Sequence, residues 1–147
     1  MGMKQKPVNP TYDLEEMSLQ IADNITAQED QNAILKRLLD LFDNQKVYLN
    51  SQLTIIDVVQ EMGSNRTKIS SVINQDSGQN FCSFVNNYRV DELERVVCEN
   101  PKYSYEVLAE CCGFGSVNSM KRSVTAKTGM SLSEWKKAVL ELENPLP

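Results

Sequence analysis

The chain has 147 residues, with 15 Lys and Arg against 20 Asp and Glu, for a net charge of −5 at pH 7. It has no histidine, and none of its four cysteines forms a C-x-x-C pair, so a His-based nucleophile pair and a spaced zinc set are both excluded. A 41% hydrophobic fraction suits one small domain; with no apolar run near the ~18 residues of a membrane span, the expectation is a cytoplasmic chain with reduced, mostly buried thiols, no cofactor and no metal.

In chain order, "MGMKQKPVNP" carries two prolines and no periodic pattern, so it reads as flexible. Leu14, Met17, Ile21 and Ile25 then recur at helical spacing, which makes residues 1–28 a tail or a linker helix. "TAQE", Thr26 to Glu29, has the form of a capping box and is expected to open a helix through Ile34, Leu38 and Phe42. Thr54 with Asp57 is a second capping box, and Val58, Val59 and Met62 give the helix it opens an apolar face. Gly63 permits a turn and Asn65 caps the next helix, with Ile69, Val72 and Ile73 inward. Asn80 caps a long helix over 81–98, about 27 Å at 1.5 Å per residue. Its apolar positions are Phe81, Phe84, Val85, Tyr88, Leu93, Val96 and Val97. Ser104 caps another helix, packed through Val107, Leu108 and Cys111, then Gly113 turns and Ser116 caps a helix with Met120 and Val124 inward.

The second half repeats the first. Gly63 aligns with Gly113; after one inserted residue, Asn65 aligns with Ser116, Ile69 with Met120, Ile73 with Val124, Gly78 with Gly129 and Phe84 with Trp135. Each copy is a helix, a Gly-containing turn and a second helix, the pattern of a helix-turn-helix motif. The outward faces of the second helices are polar. The first presents Arg66, Thr67, Lys68, Ser70 and Ser71; the second presents Asn118, Lys121, Arg122, Thr125 and Lys127. Charge is segregated too: residues 1–62 hold five basic and ten acidic groups, whereas residues 112–137 hold five basic groups and only Glu134. A basic patch on an acidic chain is a footprint for an anion such as DNA, where Arg reads guanine, Asn reads adenine and Lys takes a base or a phosphate.

The ordered set Leu53, Gly63, Asn65, Ile69-Ser70, Ile73-Asn74, Gly78, Phe81, Asn86, Arg89-Val90, Ala109, Gly113-Phe114, Ser116, Gly129 and Ser133 resembles the DNA-binding domain of the AraC/XylS family of bacterial transcription regulators. The resemblance covers roughly residues 33–140. It implies an all-α fold of about seven helices, with two helix-turn-helix motifs joined by a long central helix. It also implies sequence-specific binding of double-stranded DNA, one recognition helix in each of two adjacent major grooves, and no enzymatic activity. The chain then divides into residues 1–28, a DNA-binding domain at 29–142 and a tail at 143–147. RNA polymerase and an upstream sensor or dimerisation domain outside this chain stand as further candidate partners. The sequence departs from the family at Met120 and Val124, where phenylalanines are favoured, and at Thr125, where lysine is frequent. Leu132 stands in place of proline, Leu93 of alanine and Val59 of a small alanine. These swaps weaken the expected DNA contacts more than the fold, and the alternative is a helical protein-interaction module that has lost strong DNA affinity.

Overall fold

The computed structural model describes residues 10–143, with side chains from residue 14. Of the stretch expected to be flexible, residues 1–10, and the expected tail, 143–147, residues 1–9 and 144–147 lie outside the described residues, while Pro10 opens the first helix and Glu143 closes the last. Seven α-helices and one 3-10 turn are present among them, and no strand. The first helix, α1, runs unbroken from Pro10 to Asp43. The expected start at Thr26 is therefore corrected. The Thr26 hydroxyl donates back to the Ala22 carbonyl at 3.0 Å instead of accepting from a helix start. Thr and Ser make this bond inside helices, so a capping-box string alone does not fix a terminus.

A 3-10 turn at Val47–Leu49 leads to α2 (Ile55–Met62) and α3 (Arg66–Ser77). The Thr54–Asp57 capping box is formed in both directions. Gly63 ends α2 in the left-handed region at φ 61°, and the Asn65 side chain accepts from the Lys68 N–H to start α3. The long α4 (Phe81–Glu99) follows, about 28 Å by its 19 residues. Then come α5 (Tyr105–Cys111), α6 (Val117–Thr128) and α7 (Leu132–Glu143), with Ser104 and Ser116 capping α5 and α6.

The apolar side chains form two separate cores, and α4 belongs to both. Its first half inserts Phe84 and Val85 among Leu38, Phe42, Tyr48, Val58, Met62, Ile69 and Ile73. Its second half inserts Leu93, Val96 and Val97 among Leu108, Cys112, Met120, Val124, Leu132 and Trp135. The repeat is legible in this packing. Ile69 with Met120, and Ile73 with Val124, are fully buried equivalents, and Gly78 and Gly129 both close their helices with positive φ. One expectation fails: α5 packs through Leu108, Ala109 and Cys112, while Val107 and Cys111 face solvent. A seven-residue helix carries too few apolar positions to fix its own face, so the contact with α4 and α6 sets the rotation. The thiols are also less buried than expected. Cys82 and Cys111 are exposed, and Cys112 is buried, its thiol pushed up to about 12 by loss of solvent and by Glu92.

Two buried charges tie the 3-10 turn to α4. Arg89, 8% exposed, donates to the Tyr48 carbonyl at 2.8 Å and the Asn50 carbonyl at 2.9 Å. Glu92 accepts from the Tyr48 hydroxyl at 3.3 Å, lies 3.6 Å from the Lys46 ammonium and pairs with Arg95. The Arg95 hydrogen bond holds the Glu92 carboxyl below its ordinary range, against burial, which raises it. A carboxylate depressed in the folded state stabilises above its unfolded pKa and loses that stabilisation as pH falls through the folded value. The urea midpoint should therefore drop as pH goes below about 4.3. Glu92→Gln should start from a lower midpoint at pH 7 and lose less on acidification; equal slopes in the two proteins would count against the network.

Candidate nucleic-acid interface

The two outward faces singled out in the sequence differ once their neighbours are known. On α3, Arg66, Thr67, Lys68 and Ser70 are exposed. Of these, Thr67 and Lys68, together with the half-buried Ser71, line a cavity of about 240 Å³ shared with Ala27, Asp30, Gln31 and Ile34 of α1. Lys68 lies 3.9 Å from the Asp30 carboxylate, so its charge is partly answered within the chain. Helix α1 thus flanks the surface that the sequence assigns to the first motif.

On α6, Asn118, Lys121 and Arg122 are exposed. The Lys121 ammonium lies 5.8 Å from the centre of the Tyr105 ring, and Lys136 of α7 sits over the same ring at 5.7 Å. One aromatic therefore gathers cations from two helices by cation–π attraction. Thr125 turns away from the group, its hydroxyl donating to the Met130 carbonyl at 2.9 Å. Lys127 is the largest departure from expectation. Its ammonium donates to the Asn87 carbonyl at 3.2 Å and pairs with the Asp91 carboxylate, both on α4. It fastens α6 to the central helix, whereas the sequence reading set it on the outward polar face.

Arg122 lines a cleft of about 520 Å³ between α6 and the start of α4. The other walls are Gln79, Ser83, Asn86, Asn87, Ser119, Ser123, Ala126 and Lys127, so nearly every lining group can hydrogen-bond. Sequence reasoning missed Gln79, Ser83, Asn86, Asn87 and Ser119. The available signal was the polar side of the first turns of α4, at Ser83, Asn86 and Asn87, opposite Phe84, Val85 and Tyr88. Among the described residues no cluster of His, Cys, Asp and Glu could hold a metal ion. No described helix is long and apolar enough to cross a membrane.

No family model and no curated protein matches the sequence. Solved structures do match. The C-terminal domain of AraT, a response regulator from Geobacillus stearothermophilus, superposes with a TM-score of 0.63 at 18% identity, over 71% of this chain and 84% of that one. The C-terminal domain of the two-component response regulator YesN from Fusobacterium nucleatum gives 0.54 at 16% identity, over 79% and 99%. This chain has the fold of those C-terminal domains. A protein of unknown function from Listeria innocua shares it as well, at 0.60 and 14% identity over 70% and 94%.

Proposed function

We propose that this chain binds double-stranded DNA as the reading domain of a bacterial transcription regulator, with α6 as the main reader and α3 as the second. The observation that carries the reading is the surface of α6. Asn118, Lys121 and Arg122 stand together on an exposed face, and no acid occurs in the sequence between Glu110 and Glu134. A merely solvated helix would mix acids into such a face, whereas a groove-reading helix needs donors that reach base edges. The likeness to response-regulator domains and the resemblance to the AraC/XylS family support the same reading, since both concern proteins that regulate. In this reading Arg122 contacts a base, Lys121 a base or phosphate, and the cleft beside Arg122 lies over the backbone between the two grooves. The 28 Å of α4 is shorter than the roughly 34 Å between successive major-groove faces, so engaging both motifs bends the duplex toward the protein.

The salt dependence tests it. Lys68 and Lys127 are paired inside the protein, which leaves Arg66, Lys121, Arg122, Lys136 and Lys137 to displace counterions. With a slope near −0.9 per phosphate neutralised, log affinity against log salt should fall no more steeply than about −4.5. Fluorescence anisotropy on a random duplex and on a selected site measures both slope and preference. Affinity that does not change with salt, or no retention on any duplex at low salt, would remove DNA binding and leave a helical protein-interaction module. The sequence preference, the contact with RNA polymerase and the link to an upstream sensor belong to the same proposal.

A further inference from the structure

We infer that the N-terminal half of α1 is a self-association helix, along which two copies of this chain pair. Helix α1 spans 34 residues, and every residue from 14 to 30 is exposed. Leu14, Met17, Ile21 and Ile25 are 64%, 56%, 56% and 54% exposed, the most concentrated apolar surface on the chain. A helical stretch of this length with no tertiary support is marginal in water, so its apolar side needs a cover.

The spacing identifies the cover. Leu14, Met17, Ile21, Asn24, Gln28, Gln31, Leu35, Leu38 and Phe42 follow one another at steps of three and four, the 3.5-residue period of a coiled-coil seam. The lower end of this seam is already packed. Leu38 and Phe42 are fully buried, and Gln28, Gln31 and Leu35 line a cavity of about 200 Å³ with Val72, Gln75 and Asp76 of α3. Above Gln28 the same seam meets nothing in a single chain. The acids select the partner. Glu15, Glu16, Asp23, Glu29 and Asp30 occupy positions away from the seam, whereas of the positions beside it only Asp13, at the outer end, is charged and Ser18, Gln20, Ile25 and Ala27 are not. Two copies can close on each other without opposing carboxylates. In a parallel pair Asp13 falls opposite Ser18 of the other copy, and a basic helix as partner would call for acids along all the flanking positions, of which only the outermost is acidic. Two heptads with Asn24 in the seam make a weak, concentration-dependent pair, because a polar seam residue lowers stability.

The inference does not rest on DNA binding. Sedimentation equilibrium of the whole chain, from about 10 µM to about 1 mM, should show the mass rising from one copy toward two, the range expected of a weak pair. Asn24→Leu should lower the half-association concentration by about tenfold or more, since it restores an apolar seam. Ile21→Asp should hold the chain at one-copy mass throughout, with its urea midpoint unchanged because Ile21 touches neither core. A wild-type chain that stays at one-copy mass at every concentration overturns the inference, whatever Asn24→Leu does. So does an Ile21→Asp chain that associates as the wild type does.

Discussion

Gly113→Ala should cost about 3–5 kcal/mol of stability, combining the strain of a left-handed alanine with a forced separation of packed backbone. Gly113 has φ +83°, and a Cβ there would lie 2.3 Å from the Tyr48 carbonyl oxygen and 2.7 Å from the Leu49 Cα. These are backbone atoms, so no side chain can rotate away. The same Tyr48 carbonyl accepts from Arg89, so pushing it aside also loosens the buried guanidinium. Gly63→Ala is the control. Gly63 has φ +61°, and a Cβ there meets nothing within 4 Å. It should cost only the left-handed strain, about 1–2 kcal/mol. Urea unfolding followed by circular dichroism compares the two; equal losses would mean that the contact between the second motif's turn and Leu49 does not constrain the fold.

Lys121→Ala/Arg122→Ala should weaken binding to a selected duplex more than Arg66→Ala/Ser70→Ala. Removing a bidentate base contact costs about 1–3 kcal/mol and relaxes preference at one position, and removing a phosphate contact lowers the salt slope by about one. Arg122 is exposed, and no acid among the described residues pairs with it. On α3, Lys68 is answered by Asp30 and α1 flanks Thr67 and Ser71, so less of that face is free to meet DNA. If the Arg66/Ser70 pair costs clearly more, α3 is the main reader and the ranking by charge is wrong. Lys127→Ala tells a different story from the one its sequence position suggests. It should loosen α6 from α4 and lower the unfolding midpoint without changing the salt slope.

The seven helices and the two motifs were legible because local signals agreed with one another. Thr54, Asn65, Asn80, Ser104 and Ser116 each cap the helix they were expected to cap. The face of α5 was misread by local pattern, yet the repeat already contained it: the offset of 50 maps Val58 to Leu108 and Met62 to Cys112, the pairs that are buried. The start of α1 was lost because a hydroxyl that can cap can equally bond back within a helix. Arg66, Ser70, Asn118, Lys121 and Arg122 are exposed as the sequence reading expected, since exposure follows the 3.6-residue period. Their partners were not legible. Asp30 near Lys68, Asp91 with Lys127 and Tyr105 beneath Lys121 bring together residues 36 or more apart in sequence, or from another helix, and no local pattern specifies them.

The division of the apolar interior into two cores, joined through α4, has a consequence for how such a sequence can change. Met120, Val124 and Trp135 belong to one cluster and Ile69 and Phe84 to the other, with no buried apolar residue in common, so a substitution in one reaches the other only through α4 or through the contact of Gly113 with the Tyr48 and Leu49 backbone. Each motif can therefore drift on its own, and its outward face with it. The two halves have already diverged in this way: equivalent buried positions keep their burial, while the surfaces above them carry different charge. A lineage of such chains could alter one outward face while leaving the other, and the helix that spaces them, as it was.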